Sequence, residues 1–173
     1  MSKDLFVINN FKHAKRVQVE TGIQADAVLT QAALESGWGK YAVGNMYFGV
    51  KDTDGRNGNE QLLTTTEYHR SADKKYPVII SVTPCIINNQ HYFKYRVKDY
   101  FRKYPSPYES FLDHANFLKK NGRYKKALAV SSDSKEFLRA IADAGYATDP
   151  QYKKKLLGTL ETIQELIIKN NLV

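Results

Sequence analysis

Two carboxylates and a tyrosine set out the chemistry this sequence could do. Glu35 lies in the run Thr-Gln-Ala-Ala-Leu-Glu-Ser-Gly-Trp-Gly over residues 30–39, which carries an amphipathic helix straight into an acid. Gly37 is placed to end that helix, and Trp38 follows at once. A helix C-terminus bears partial negative charge and disfavours an ionised acid there. An indole packed nearby would exclude water and push the same way. Both effects raise a carboxylic pKa, as a general acid working near neutral pH requires. The plainer alternative is a solvated glutamate in a fraying last turn.

Glycosidic cleavage usually takes a second carboxyl group across the bond. Glu67, inside Thr-Thr-Thr-Glu-Tyr, is the candidate, because a strand would hold its direction firmly. A strand glutamate pointing at solvent is the rival reading. Asp52, Asp54 and Glu60 compete from what reads as a mobile loop. Tyr146 follows Gly145 in a stop-and-restart turn and could aim its hydroxyl into a cleft, or could staple two helices together.

These groups need elements to position them. Helical spacing predicts a first helix over residues 8–21 and a second over 24–36, with Ala25, Val28, Leu29, Ala32 and Ala33 inward and Gln31 one turn before Glu35 on its face. Residues 51–60, rich in Gly, Asp and Asn, read as loop. From Leu62 to His69 the chain alternates, with Leu63, Thr65 and Glu67 on one face. Val78–Val82 and Tyr92–Tyr100 also read as strands, giving a small antiparallel sheet of three. Helices return at Ser106-Pro107-Tyr108-Glu109, a capping box with proline at the first helical position, and Gly122 stops that helix. Asp133 caps another that ends near Gly145, and Asp149-Pro150 opens the last, striped with Leu156, Leu160, Ile163 and Ile167. The expected fold class is α+β and mainly helical, with a β-lobe over about 60–104 inserted in a single domain of residues 1–173.

Bulk properties narrow the partners. The chain has 173 residues and a net charge of +8, which favours an anionic partner such as nucleic acid, an acidic membrane face or a bacterial wall with its anionic polymers. Basic residues are dispersed apart from Lys153-Lys154-Lys155, which reads as a solvated helix face, so nucleic acid is not expected. No apolar run is long enough to span a membrane. The N-terminus lacks the apolar core of a secretion signal, leaving three possibilities: another export route, a leader removed, or no export. Cys85 reads as a small core residue. The four histidines show no ligand spacing, so neither zinc nor any other cofactor is expected.

Ala-Leu-Glu-Ser-Gly-Trp-Gly, Phe-Gly-Val-Lys, Thr-Thr-Thr-Glu-Tyr and Ala-Gly-Tyr-Ala-Thr-Asp-Pro-Gln-Tyr occur in that order. Over about residues 8–168 the sequence resembles the glycoside hydrolase family 73 domain, whose members are peptidoglycan β-N-acetylglucosaminidases. The resemblance implies a lysozyme-like fold with a glycan groove between helical and β lobes. It implies that Glu35 is the general acid, Glu67 the second acidic residue and Tyr146 a tyrosine near the cleaved bond. Trp38, Tyr47 and Phe48 match groove-lining positions, and Gln31 is grouped with them as substrate-binding. Members often read Asn-Leu-Phe-Gly where Met46-Tyr47-Phe48-Gly49 stands here, so an asparagine contact is lost or replaced. The segment between Glu67 and Phe111 is longer than in flagellar members, either as a wall that touches glycan or peptide stems or as a hairpin that adds core.

The expected activity is hydrolysis of the β-1,4 bond between N-acetylglucosamine and N-acetylmuramic acid, on peptidoglycan strands in the periplasm or at the wall, by a monomer. A lytic transglycosylase and a non-catalytic glycan-binding module are the alternatives.

Overall fold

Ser2 starts the first helix. Its side chain accepts from the Leu5 amide, Asp4 places negative charge in the first turn, and α1 runs Lys3–Thr21 until a left-handed Gly22 closes it. The apolar spacing Phe11, Ala14, Val17 marks only the later part of this helix. The cap adds the turns before it, which bury Phe6 and Val7 completely. The chain is described by a computed structural model covering residues 1–55 and 57–172.

Two compact units emerge. One comprises residues 1–48 together with the chain from 104 onward, and the other residues 49–103. In the first, α2 covers Ala25–Ser36. Ala27, Leu29, Ala32 and Ala33 on it are fully buried, so α2 is apolar over most of its circumference. It packs on α1 and on the last helix of the chain. Three consecutive left-handed residues, Gly37, Trp38 and Gly39, reverse the chain after it, and a single 3-10 turn covers Val43–Asn45.

After the sheet, α3 spans Pro107–Lys120, with Ser106 accepting from the Tyr108 amide and paired with Glu109. A 3-10 turn at Gly122–Tyr124 and a short α4, Lys125–Leu128, follow; the sequence pattern does not announce α4, which is one turn long. Asp133 caps α5, Ser134–Asp143, by accepting from the Lys135 and Glu136 amides. The final helix α6, Tyr152–Lys169, starts two residues beyond Pro150 and buries Leu156, Leu160 and Ile163.

The second unit is a three-stranded antiparallel sheet of order β1-β3-β2, from β1 Glu60–His69, β2 Val78–Ile87 and β3 Gln90–Arg102. It begins earlier in sequence than the expected lobe because Lys51 bridges to Phe101 and ties the preceding loop to β3. Asn88 and Asn89, both at positive φ, join β2 to β3 as a two-residue hairpin turn whose twist suits the strands. Tyr95, Val97 and Phe101 form this unit's core. The β2 strand adds little to it: Ile80 is 47% and Ile86 67% exposed. Cys85 therefore is not a core residue as its apolar neighbours suggest, but half-exposed on an edge strand.

Candidate active site

Glu35 occupies the last turn of α2, ended by left-handed Gly37, whose amide bonds back to the Ala33 carbonyl. Leu34 and Glu35 face outward while Ser36 is buried. The Tyr152 hydroxyl, from the first turn of α6, donates to Glu35 Oε1 at 3.0 Å. Crowding around the carboxyl raises its pKa above the ordinary glutamate value, and the Tyr152 bond pulls the other way without cancelling that rise. Glu35 thus remains open enough to meet a ligand while holding its proton to higher pH than a free glutamate.

The ring contacts of the indole lie on α1. Trp38 is half-exposed, edge-on to Phe6 at 5.6 Å and under the Lys3 ammonium at 4.9 Å. Tyrosines surround the acid instead. Tyr146 stacks on Tyr152, rings 5.8 Å apart and 14° from parallel. Burial raises the phenol pKa of both, and the nearby Glu35 charge raises it further. Both stay protonated donors at any working pH.

Tyr146 is anchored in turn. Its hydroxyl lies 2.9 Å from His114 Nε2 of α3. His114 is buried, and desolvation drops its pKa to about 3, so it is a neutral imidazole. Its ring lies flat on Phe48 at 3.7 Å. Glu35, Tyr152, Tyr146 and His114 therefore form one continuous polar-aromatic line through α2, α6 and α3.

The remaining residues expected to contact substrate are placed differently. Tyr47 and Phe48 are buried, 6% and 4% exposed. Tyr47 packs edge-on against Phe6 and Phe111, and its amide takes a bond to Ser110 Oγ. With both faces occupied, these rings support the site and cannot stack on sugar. Gln31 is likewise buried. Its amide comes near enough to the Tyr152 hydroxyl to favour the phenolate slightly, yet without full hydrogen-bond geometry, leaving Nε2 with no partner. At the departure from the Asn-Leu-Phe-Gly pattern, Asn45 immediately precedes Met46 with φ 56° and donates to the Tyr104 carbonyl at 3.0 Å.

Glu67 belongs to the sheet unit, half-buried on the face with Leu63 and Thr65, as the alternation in β1 requires. Its carboxylate accepts from the Lys51 ammonium at 2.8 Å, and Lys51 also pairs with Asp99 of β3 at 2.5 Å. Burial alone would lower the lysine pKa, but the bonds to Asp99 and Glu67 outweigh it and hold it above the ordinary range. One ammonium between two carboxylates fixes the direction of the Glu67 side chain. Of its competitors, Asp54 pairs loosely with Arg102 at 3.6 Å, and Glu60 accepts from the Asn57 and Gly58 amides as a loop staple. No cluster of His, Cys, Asp and Glu able to hold a metal occurs among the described residues.

An acid of raised pKa at a helix end, held by a tyrosine hydroxyl, in a chain of mainly helical, lysozyme-like fold marks the class as glycoside hydrolase. The comparisons agree. The family described as glucosaminidase, mannosyl-glycoprotein endo-β-N-acetylglucosaminidase, matches residues 11–165, and the chain belongs to it. Peptidoglycan hydrolase FlgJ of Vibrio cholerae is 32% identical over 171 residues, covering 95% of this chain and 45% of that protein. The glycoside hydrolase domain of Salmonella typhimurium FlgJ, in a C-terminally truncated form, superposes with a TM-score of 0.69 at 28% identity, covering 95% of this chain and 99% of that one. A peptidoglycan hydrolase mutant from a Sphingomonas species gives 0.65 at 26% identity, covering 96% and 99%. The chain spans about half the length of the curated relatives it matches.

Proposed function

We propose that this chain is a peptidoglycan hydrolase domain that cleaves the β-1,4 bond between N-acetylglucosamine and N-acetylmuramic acid. Residues 1–173 act as one glucosaminidase domain, with the sheet unit as its β-lobe. Glu35 gives its proton to the leaving glycosidic oxygen, and bond cleavage develops oxocarbenium character on the sugar ring. Glu67, paired with Lys51, activates water or stabilises that positive charge. Tyr146, a fixed neutral donor, hydrogen-bonds the sugar at the cleaved bond. Trp38, half-exposed, offers an apolar edge to the glycan. The wall is the site of action, and the monomer is the working form.

The observation that carries this reading is the Glu35 carboxyl, raised in pKa yet exposed and tied to Tyr152. The relatives, peptidoglycan hydrolases of several bacteria, support the substrate. The test is mass spectrometry of purified peptidoglycan digested by the wild type, Glu35→Gln and Glu67→Gln. Reducing N-acetylglucosamine ends from the wild type alone support the reading. Anhydro-muramic ends mean a lytic transglycosylase, and binding with no product means a glycan-binding module.

A further inference from the structure

The face of the sheet opposite Glu67 carries an unneutralised row of cations. Register puts Lys94, Arg96 and Lys98 of the central strand side by side on it, all exposed, and none is ion-paired among the described residues. Alternate strand residues repeat at about 7 Å, so the three span roughly 13 Å in a line. Their cross-strand neighbours carry hydroxyls at every position but one: Tyr68 and Thr83 flank Lys94, Thr66 and Ser81 flank Arg96, and Thr64 and the apolar Val78 flank Lys98. No carboxylate interrupts the row. Glu60, the one acid in β1 on that face, stands at the far end opposite Arg102 and is engaged by the Asn57 and Gly58 amides.

Three like charges in a line repel one another, and a sheet face gains nothing from them unless an anion covers them. We propose that this face docks a linear phosphodiester polymer of the cell envelope, a poly(alditol phosphate), and so holds the domain on the wall while the other face of the sheet, with Glu67, serves the reaction. The choice of a wall polymer rests on the proposed hydrolase function. A repeating polyanion matches an evenly spaced row of cations, and phosphate oxygens accept from both the cations and the hydroxyls beside them. An anionic bilayer fits less well, because the exposed apolar residues are divided between the faces, with Leu62, Val78 and Ile87 on the side of the row and Ile79, Val82 and Ile86 opposite, so neither side offers one continuous apolar surface to bury. Nucleic acid fits less well too, because Tyr68 is the one ring flanking the three cations, and Arg96 at the centre has only Thr66 and Ser81 beside it where a run of bases needs successive stacking platforms.

The test is fluorescence anisotropy of the full chain with labelled synthetic poly(glycerol phosphate) over a range of salt. The variant Lys94→Gln/Arg96→Gln/Lys98→Gln is compared with Lys153→Gln/Lys154→Gln/Lys155→Gln, which removes equal charge from α6. The sheet variant is expected to bind at least about tenfold more weakly at low salt. Its log–log salt slope should be shallower by about two, from three contacts at roughly 0.7 each. An unchanged affinity or slope, an equal loss in the α6 variant, or tighter binding to anionic vesicles or single-stranded DNA overturns the proposal. Hydrolysis of polymer-free peptidoglycan, with circular dichroism to confirm folding, separates the two readings. The sheet variant should cut that substrate at the wild-type rate. A wild type that binds the polymer but leaves that wall uncut sinks the hydrolase function and not the docking face.

Discussion

The Tyr152 hydroxyl donates to Glu35 Oε1 at 3.0 Å, joining the last turn of α2 to the first turn of α6 across 117 residues of sequence. That bond favours the ionised carboxylate, whereas the surrounding crowding favours the acid, and the crowding wins. Removing the bond must therefore move the acid further in the direction it already leans. In Tyr152→Phe the alkaline limb of the pH–rate profile should shift to higher pH, because Glu35 keeps its proton longer. A lower maximal rate should accompany the shift, since the carboxyl loses its orientation. A limb that moves to lower pH would contradict the assigned direction of the bond.

Glu35→Gln should lower turnover by about 10²–10⁴-fold, the range for a positioned general acid. Stability should move oppositely. The native carboxyl binds its proton more tightly than the unfolded one, so native stability falls as pH rises from the ordinary glutamate range through the raised native value. Glutamine removes that loss. The variant should melt above the wild type at neutral and alkaline pH, and the gap should close in acid, as read by thermal melts across pH.

Lys51 serves two carboxylates at once, so its loss should do more than delete one ion pair. Lys51→Met leaves Glu67 and Asp99 as neighbouring like charges, which should depress both Tm and turnover. Adding Asp99→Asn removes the repulsion and should recover part of both. Additive losses in the double variant would mean that the two acids do not share the lysine.

What the sequence discloses and what it conceals divide along physical lines. Caps, helical stripes and the alternation around Glu67 are local, and local spacing places Glu35 at a helix end and Glu67 on a half-buried face. The docking of α6 onto α2 is not local. Tyr152 is visible as the last letter of Ala-Gly-Tyr-Ala-Thr-Asp-Pro-Gln-Tyr, but its hold on Glu35 depends on tertiary packing. Lys51 and Asp99 escape for the same reason, since strand pairing alone brings β3 beside the loop. Trp38 misleads because adjacency to Glu35 implies contact, whereas the left-handed backbone at Gly37 and Trp38 turns the indole to α1. Tyr47 and Phe48 mislead because aromatic residues beside a site serve equally as floor or as lining, and burial decides for floor.

The turn that ends α2 should tolerate little. Gly37 has φ +58°, and a Cβ there would meet the Tyr41 ring at 3.0 Å. Gly37→Ala should cost about 1 kcal/mol from backbone strain, lowering Tm by about 2–4 °C for a chain of this size. Because the displaced turn carries Glu35, activity should fall by more than that stability loss explains when assayed well below Tm.

His114 provides the last test, because its two roles separate by pH. Its native pKa is about 3 against an ordinary 6.5, so between those values the unfolded chain binds the extra proton. Stability is then fully present above pH 6.5 and drains away as pH falls toward 3. His114→Phe keeps an aromatic ring against Phe48 and removes both the titration and the partner of Tyr146. At neutral pH the variant should lose about 1 kcal/mol for the missing hydrogen bond. In acid its Tm should fall less steeply than the wild type's, so the two melting curves converge or cross. If His114 works by holding the Tyr146 hydroxyl, the variant lowers kcat with little change in KM, and it lowers nothing further in a Tyr146→Phe background. A full additional loss in that background would assign His114 to the core alone.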